Sequence, residues 1–273
     1  MNVMTLQRGC CVLAGWLTLP VAVADQPWSV RATYWSEGEL DAPAAAGDTA
    51  VMRRELFMGY DRKFDAISIA ASYAHQPILI RAGEPANNGY FHLLDAAFGL
   101  ARGPLSAVVK VGVHGSSNMF KYAEFSDDSL VASFSGSYQF AERFGVGLNG
   151  DHRFGHFSLY PMLSWSGAFG ENRVDVELPV ALRWRRHDFK LAMERYGEKW
   201  AALDAAESIH SAFYLQEWRI AASWQWPGVW GRVTPALGAG VSLNTQVEYY
   251  DLAVGWVEFG LDDSAFLFID INF

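Results

Sequence analysis

Hydrophobic and polar residues alternate along much of this chain. In the last nine residues, every second side chain from Ala265 to Phe273 is apolar. Strict alternation predicts a β-strand with one continuous apolar face. The segments 105–114, 174–185 and 233–243 alternate in the same way. After residue 24 no apolar run approaches the length of a membrane helix, so the pattern predicts strands whose apolar faces meet lipid.

Short charged or Gly/Pro segments, most of them bracketed by aromatic residues, recur along the chain as predicted turns. Their centres are Arg62, Arg102, Glu142, Arg186 and Pro227, which lie 40, 40, 44 and 41 residues apart. A repeat of about 40 residues fits one membrane hairpin with its turn and loop. Five turns and two chain ends enclose six hairpins. The expected fold is all-β: a closed antiparallel transmembrane β-barrel of about 12 strands, within a range of 10–14.

Six longer connections separate these hairpins and are richer in Asp, Glu, Gly and Asn, as exposed loops usually are. They are predicted at 37–50, 75–89, 116–128, 153–172, 198–211 and 244–264. A water-soluble β-sandwich is the alternative. It accounts for the regular turns but leaves the continuous apolar faces of the strands without a partner.

The first 24 residues have the layout of a secretory signal peptide. Arg8 is their only charged residue, an apolar run follows, and Ala22-Val23-Ala24 forms a small-x-small cleavage site. The run is short for a membrane anchor. We therefore expect a signal peptide at 1–24 and a barrel domain at 25–273. Cys10 and Cys11 both fall in the signal peptide, so the barrel is expected to contain no thiol.

The alternating C-terminal strand resembles the last strand of Gram-negative outer-membrane β-barrel proteins, in which a terminal aromatic residue is part of the assembly signal. The residues that match this signal are Phe273, Ile271, Ile269 and Leu267. The resemblance is to the general class and to no specific family. It implies an outer-membrane location with both termini in the periplasm, contact with lipid and lipopolysaccharide, and insertion by the barrel assembly machinery. The chain length is also similar to that of twelve-stranded autotransporter translocators, which implies a solitary barrel of that type.

Charge and motif content limit the chemistry. The net charge of −9 argues against nucleic acid as a partner. The sequence has no His or Cys cluster with metal-ligand spacing and no phosphate-binding glycine loop, so neither a metal nor a cofactor is expected.

Charged residues of both signs fall on the predicted inner face of the strands. The predicted lumen-lining set comprises Arg31, Arg53, Glu55, Lys110, His114, Asp175, Glu177, Arg183, Arg185, Glu217 and Arg219, to which the same register adds Lys190, Glu194 and Asp270. In the leading interpretation they line a narrow channel, or porin, for small polar solutes. In the alternative they pair with one another and fill a plugged structural or interaction barrel.

A lipid hydrolase is a third possibility. His114-Gly115-Ser116 resembles the His-x-Ser-Asn pattern of outer-membrane phospholipase A, although Ser117 stands before Asn118 here. Residues i and i+2 share a strand face, so the imidazole could activate the hydroxyl. However, His114 falls on the same strand face as Lys110, which is predicted to face the lumen, and membrane lipid does not reach the lumen. No catalytic residue is therefore assigned, His114 and Ser116 stay weak candidates, and an enzyme is the less expected outcome.

Overall fold

The computed structural model describes residues 27–41, 50–81, 88–204, 209–226, 233–251 and 255–273. The predicted signal peptide and the predicted turn at Pro227 lie outside the described residues. None of the helices in the described part of the chain is long and apolar enough to cross a bilayer.

The described residues form sixteen β-segments, one short α-helix and one 3-10 helix. The β-segments are β1 (Trp28–Trp35), β2 (Gly38–Asp41), β3 (Ala50–Phe64), β4 (Ile67–Arg81), β5 (Asn88–Arg102), β6 (Leu105–Ser116), β7 (Leu130–Ala141), β8 (Phe144–Asp151), β9 (Ser158–Phe169), β10 (Asn172–Leu178), β11 (Ala181–Arg186), β12 (Phe189–Asp204), β13 (Ile209–Gln225), β14 (Thr234–Asp251), β15 (Gly255–Leu261) and β16 (Ser264–Asn272). The helix α1 (Ser117–Tyr122) and the 3-10 helix (Asp127–Ser129) lie between β6 and β7.

Neighbouring strands pair antiparallel in chain order, and β1 pairs with β16 to close the ring. β1 and β2 both pair with β3, and β15 and β16 both pair with β14, so each of these couples is one interrupted barrel strand. The fold is therefore a closed barrel of fourteen strands. This confirms the predicted fold class and corrects the expected count of about twelve.

The two additional strands come from segments that the alternation pattern misassigned. β9 lies within the predicted loop 153–172 and is joined to β10 by a tight turn at Gly170, whose φ is +60°. The predicted single strand 174–185 is the hairpin of β10 and β11, with Glu177 paired to Ala181. Three residues make that turn, so the residues of β10 and β11 still face the sides that one continuous strand would give them. Val180, which a single strand over 174–185 would turn outward, is instead fully buried in the turn.

The outer surface of the barrel is apolar where the alternation placed lipid contacts. Val109 and Val111 of β6 are 53% and 54% exposed, and Leu267 and Ile269 of β16 are 61% and 45% exposed. Exposed aromatic side chains stand beside the short turns and near the chain ends, namely Trp28, Phe64, Phe140, Phe144 and Trp224. An apolar band bordered by aromatic rings is the surface expected of a barrel surrounded by lipid.

The interior of the barrel is divided at the end away from these short turns, which we call the loop side. β11 accompanies β12 only as far as Glu194, but β12 continues to Asp204. Its free edge then meets β6, where Ala201 pairs in parallel with Gly115. On the loop side the interior is thus divided into two compartments. The larger is bounded by the nine barrel strands β12, β13, β14, β15–β16, β1–β2, β3, β4, β5 and β6, and the smaller by β6 to β12.

Candidate functional site

Ionisable side chains of the inner face form a charged layer across the middle of the barrel. The register turns all of the predicted lumen-lining residues inward, and most of them contact an oppositely charged neighbour. The ion pairs are Arg31 with Asp270, Arg53 and Arg219 with Glu217, Lys110 and His114 with Asp95, and Arg183 with Glu177 and Glu194. Asp175 pairs with Arg173 at 3.1 Å, and Glu55 accepts a hydrogen bond from Gln76 Nε2 at 3.0 Å. Arg185 and Lys190, which are paired across β11 and β12, form no ion pair within the described part of the chain. Most of the inner charges, but not all, are therefore neutralised within the protein.

Glu217 is the centre of this layer and is fully buried. Arg53 Nη2 donates to Glu217 Oε2 at 2.8 Å, and Arg219 Nε donates to Glu217 Oε1 at 2.6 Å. The register of β13 against β14 shifts beside Glu217, and this irregularity directs the Thr245 hydroxyl to Glu217 Oε2 at 2.9 Å. Both guanidinium groups also lie over the ring of Trp35, at 5.0 and 5.2 Å from its centroid. β13 is thereby joined through the interior to β1 and β3, which are neighbours in another part of the barrel wall.

A second group of charges forms where β12 meets β6. His114 Nε2 is 2.9 Å from Asp95 Oδ1, and His114 Nδ1 is 3.2 Å from Glu198 Oε1 and 2.9 Å from the carbonyl oxygen of Lys199. These oxygens can only accept hydrogen bonds when the carboxylates are ionised. Both ring nitrogens of His114 must then donate, which makes this imidazole a cation that ties β5, β6 and β12 together.

An apolar layer lies above the charges, on the loop side. The ring of Phe91 on β5 contacts Trp200 on β12 and Phe213 on β13, with centroid distances of 5.3 and 6.2 Å. Ala74, Leu93, Tyr196 and Leu215 complete the cluster. The cluster thus extends from Ala74 on β4 to Leu215 on β13, which lie on opposite walls of the larger compartment. Between this layer and the charges, Trp35, Arg53 and Tyr196 border a cavity of about 20 Å³, which is room for a single water molecule.

The smaller compartment is filled as well. Tyr160, Val180 and Ala181 form a buried cluster with Phe154 packed against it. Asn149 and Met162, which face the same space, are 1% and 2% exposed. The described side chains thus occupy both halves of the divided interior on the loop side.

Sequence reasoning missed the apolar layer and two acidic members of the charged layer. Trp200 and Glu198 fell within the predicted loop 198–211, and Phe91 was not assigned a face. Asp95 could have been found, because it alternates with the apolar residues Leu94, Ala96 and Phe98 along β5 and so falls on the inner face. Nothing in the sequence signals that β12 reaches β6, since that contact joins positions 86 residues apart, from Gly115 to Ala201.

The weak catalytic candidates His114 and Ser116 are not brought together. Both lie inside the barrel, and His114 is 1% exposed. The ring nitrogens of His114 are engaged as described, while Ser116 Oγ accepts a hydrogen bond from the backbone N–H of Leu203 at 3.1 Å. Neither the geometry nor the location suits hydrolysis of a membrane lipid by this pair.

A closed antiparallel ring with an apolar outer band and a charged interior defines this protein as a β-barrel of the outer-membrane type. No protein-family model and no curated protein matches the sequence. Among solved structures, an outer-membrane channel from Pseudomonas putida F1 is 9% identical with a TM-score of 0.45, covering 91% of this chain and 96% of that one.

Two other similar structures carry different activities in their names. The translocator domain of the autotransporter NalP from Neisseria meningitidis is 12% identical with a TM-score of 0.33, covering 90% of this chain and 88% of that one. The outer-membrane protease OmpT from Escherichia coli is 10% identical with a TM-score of 0.28, covering 92% and 98%. Because every TM-score is below 0.5, we infer nothing about function from these similarities. The resemblance to autotransporter translocators rested partly on an expected count of twelve strands, and this barrel has fourteen.

Proposed function

We propose that this protein is a plugged barrel of the outer membrane, which serves as a rigid structural or interaction platform and does not pass solutes. The apolar layer carries this proposal, because its cluster runs from Ala74 on β4 through Phe91 and Trp200 to Leu215 on β13, across the larger compartment. Beneath this layer the paired charges around Glu217 supply a second obstruction. A mobile ion would have to break these pairs in a medium of low dielectric constant, which is costly.

Division of the loop side explains how a fourteen-strand barrel can be filled. Side chains fill the interior of an eight-strand barrel, whereas barrels of 16 to 18 strands enclose water. The contact of Ala201 with Gly115 reduces the larger compartment to nine strands, which is near the size that side chains can fill. The narrow-channel interpretation has less support, since a polar passage requires charges that are free to meet solute.

The cellular location and partners are also part of this proposal. We place the barrel in the outer membrane of a Gram-negative bacterium, with the short turns, Trp28 and Phe273 on the periplasmic side. The hydrogen bond from the N–H of Trp28 to the carbonyl of Phe273, at 3.1 Å, supports a common side for both ends. Lipid and lipopolysaccharide would contact the apolar band, and the outward face of β16 would be read by the barrel assembly machinery.

The conductance of planar bilayers tests whether the barrel is plugged. We expect purified, folded protein to insert without producing stepwise current, because side chains span the interior at two levels. Heat-modifiable migration of the reconstituted sample on gels shows that the protein is folded. Uniform current steps from the folded protein would contradict the proposal, and a change in those steps in Arg183→Gln would favour the narrow channel instead.

A further inference from the structure

The outer face of β4 and β5 carries a group of polar aromatic residues at the end of its apolar band. Along β5, Leu100, Phe98 and Leu94 are exposed apolar side chains, and His92 and Tyr90 follow them towards the loop side. On the neighbouring strand β4, Tyr73 and His75 lie beside these residues at the same height in the barrel wall. His75 pairs directly with His92. Polar aromatic rings above an apolar band mark the level of the lipid headgroups.

Within this group a serine, a histidine and a tyrosine form a hydrogen-bonded series. His92 Nε2 lies 2.7 Å from Ser117 Oγ, and His92 Nδ1 lies 2.8 Å from Tyr73 Oη. If Nδ1 carries the proton and donates it to the tyrosine oxygen, Nε2 is free to accept the serine proton. A nucleophile within reach of a base that a third group orients is the arrangement of nucleophilic catalysis. The ring of Phe120 packs edge-on against His92 at 5.3 Å and restricts its rotation.

This group is accessible from the bilayer. His92 and Ser117 are half-buried, and His92 shares its strand face with lipid-facing Leu94. Ser117 begins α1, and nearby Tyr122 and Phe125 are 49% and 48% exposed, with Lys121 Nζ 4.8 Å from the centroid of the Tyr122 ring. Exposed aromatic side chains beside a lysine are typical of a segment that lies at the membrane surface. Ser116, one residue earlier, faces the interior, so adjacent serines meet two different environments.

We propose that Ser117 and His92 are the catalytic residues of a lipid acyl-ester hydrolase at the outer rim of the barrel, with Tyr73 as a positioning residue. Ser117 Oγ would attack the carbonyl carbon of an acyl ester while His92 Nε2 takes the hydroxyl proton. The ester C–O bond then breaks, and the departing alcohol receives that proton from His92. Water, deprotonated by His92, hydrolyses the acyl-serine, releases the fatty acid and restores the Ser117 hydroxyl. This activity is separate from the plugged interior and does not depend on it.

Fatty-acid release by the purified full chain tests the site. Folded protein in mixed micelles is incubated with a glycerophospholipid or with lipopolysaccharide in parallel, since both carry acyl esters. We expect fatty-acid release from at least one of the two substrates. Comparison of the two rates identifies which lipid supplies the acyl ester. Ser117→Ala and His92→Gln should each lower the rate by about 100-fold or more. Ser158→Ala is the matched control, because Ser158 is likewise a half-buried serine on the loop side, but its Oγ donates to the backbone carbonyl of His156 at 3.0 Å and not to a histidine ring.

Two further measurements separate catalysis from structural damage. A fluorophosphonate reagent should label Ser117 in the wild-type protein and fail to label it in His92→Gln. Tyr73→Phe should lower kcat, leave KM unchanged and displace the acidic limb of the pH profile, which a purely structural residue would not do. The proposal is overturned if folded wild-type protein releases no fatty acid from either substrate, or if Ser117→Ala retains the activity.

Discussion

Replacing Glu217 with glutamine should lower the free energy of unfolding of the barrel by about 3–5 kcal/mol. The wild-type carboxylate is fully buried and holds Arg53 at 2.8 Å and Arg219 at 2.6 Å. The amide keeps the shape of the side chain but removes its charge. Arg53 and Arg219 would then lose the counter-charge of Glu217, and breaking a buried ion pair by removing one partner is costly. Urea titration of the barrel in lipid vesicles, followed by tryptophan fluorescence, measures the difference.

Glu171→Gln provides the control for charge removal as such. Glu171 is 60% exposed at the turn between β9 and β10, where it contacts His187 at 2.9 Å and Arg186 at 3.5 Å. Water screens these contacts, so the expected loss is about 0–1 kcal/mol. Equal losses in the two variants would mean that Glu217 is hydrated, and the obstruction attributed to the charged layer would have to be abandoned.

Placing an arginine on the outer face at Val109 should lower the free energy of unfolding by about 2–4 kcal/mol. Val109 is 53% exposed in the middle of β6, between Phe98 of β5 and Phe134 of β7. If hydrocarbon surrounds this face, Val109→Arg puts a guanidinium near the centre of the bilayer. The same vesicle-based urea titration applies.

The matched variant Leu105→Arg lies on the same face of the same strand, next to the turn. Leu105 is 57% exposed, so the two positions differ in depth and not in exposure. Near the interface the expected cost falls to about 0–1 kcal/mol. Similar small costs at both positions would be evidence that water, and not lipid, covers the outer surface.

Alternation predicted which side chains face outward, because the two-residue period of a strand fixes the face of every residue once one is known. It could not distinguish one strand from two in the segment 174–185. The turn of β10 and β11 uses three residues, so Val176 and Leu182 pair across the hairpin on the face that a continuous strand would also give them. The turn at Gly170 was likewise hidden, since glycine and glutamate there are also typical of a long loop.

The interior arrangement was less accessible to sequence reasoning. The charges of the lumen follow from parity, but their partners depend on contacts between distant strands, such as His114 with Glu198. The site at the outer rim could not be predicted from the sequence for the same reason. Its members come from β4, β5 and α1, and no motif joins Tyr73, His92 and Ser117. The sequence pattern instead selected His114 and Ser116, whose side chains point the other way.

The short hairpin of β10 and β11 has a consequence for the surrounding membrane. These strands contain 7 and 6 residues, whereas β12 and β13 contain 16 and 17. At about 3.3 Å per residue and a tilt of about 40°, seven residues rise only about 18 Å. An outer-membrane barrel usually presents an apolar belt about 25 Å tall. A short apolar span can be matched by local thinning of the bilayer, so we expect a thinner bilayer on this flank of the protein than beside β12 and β13.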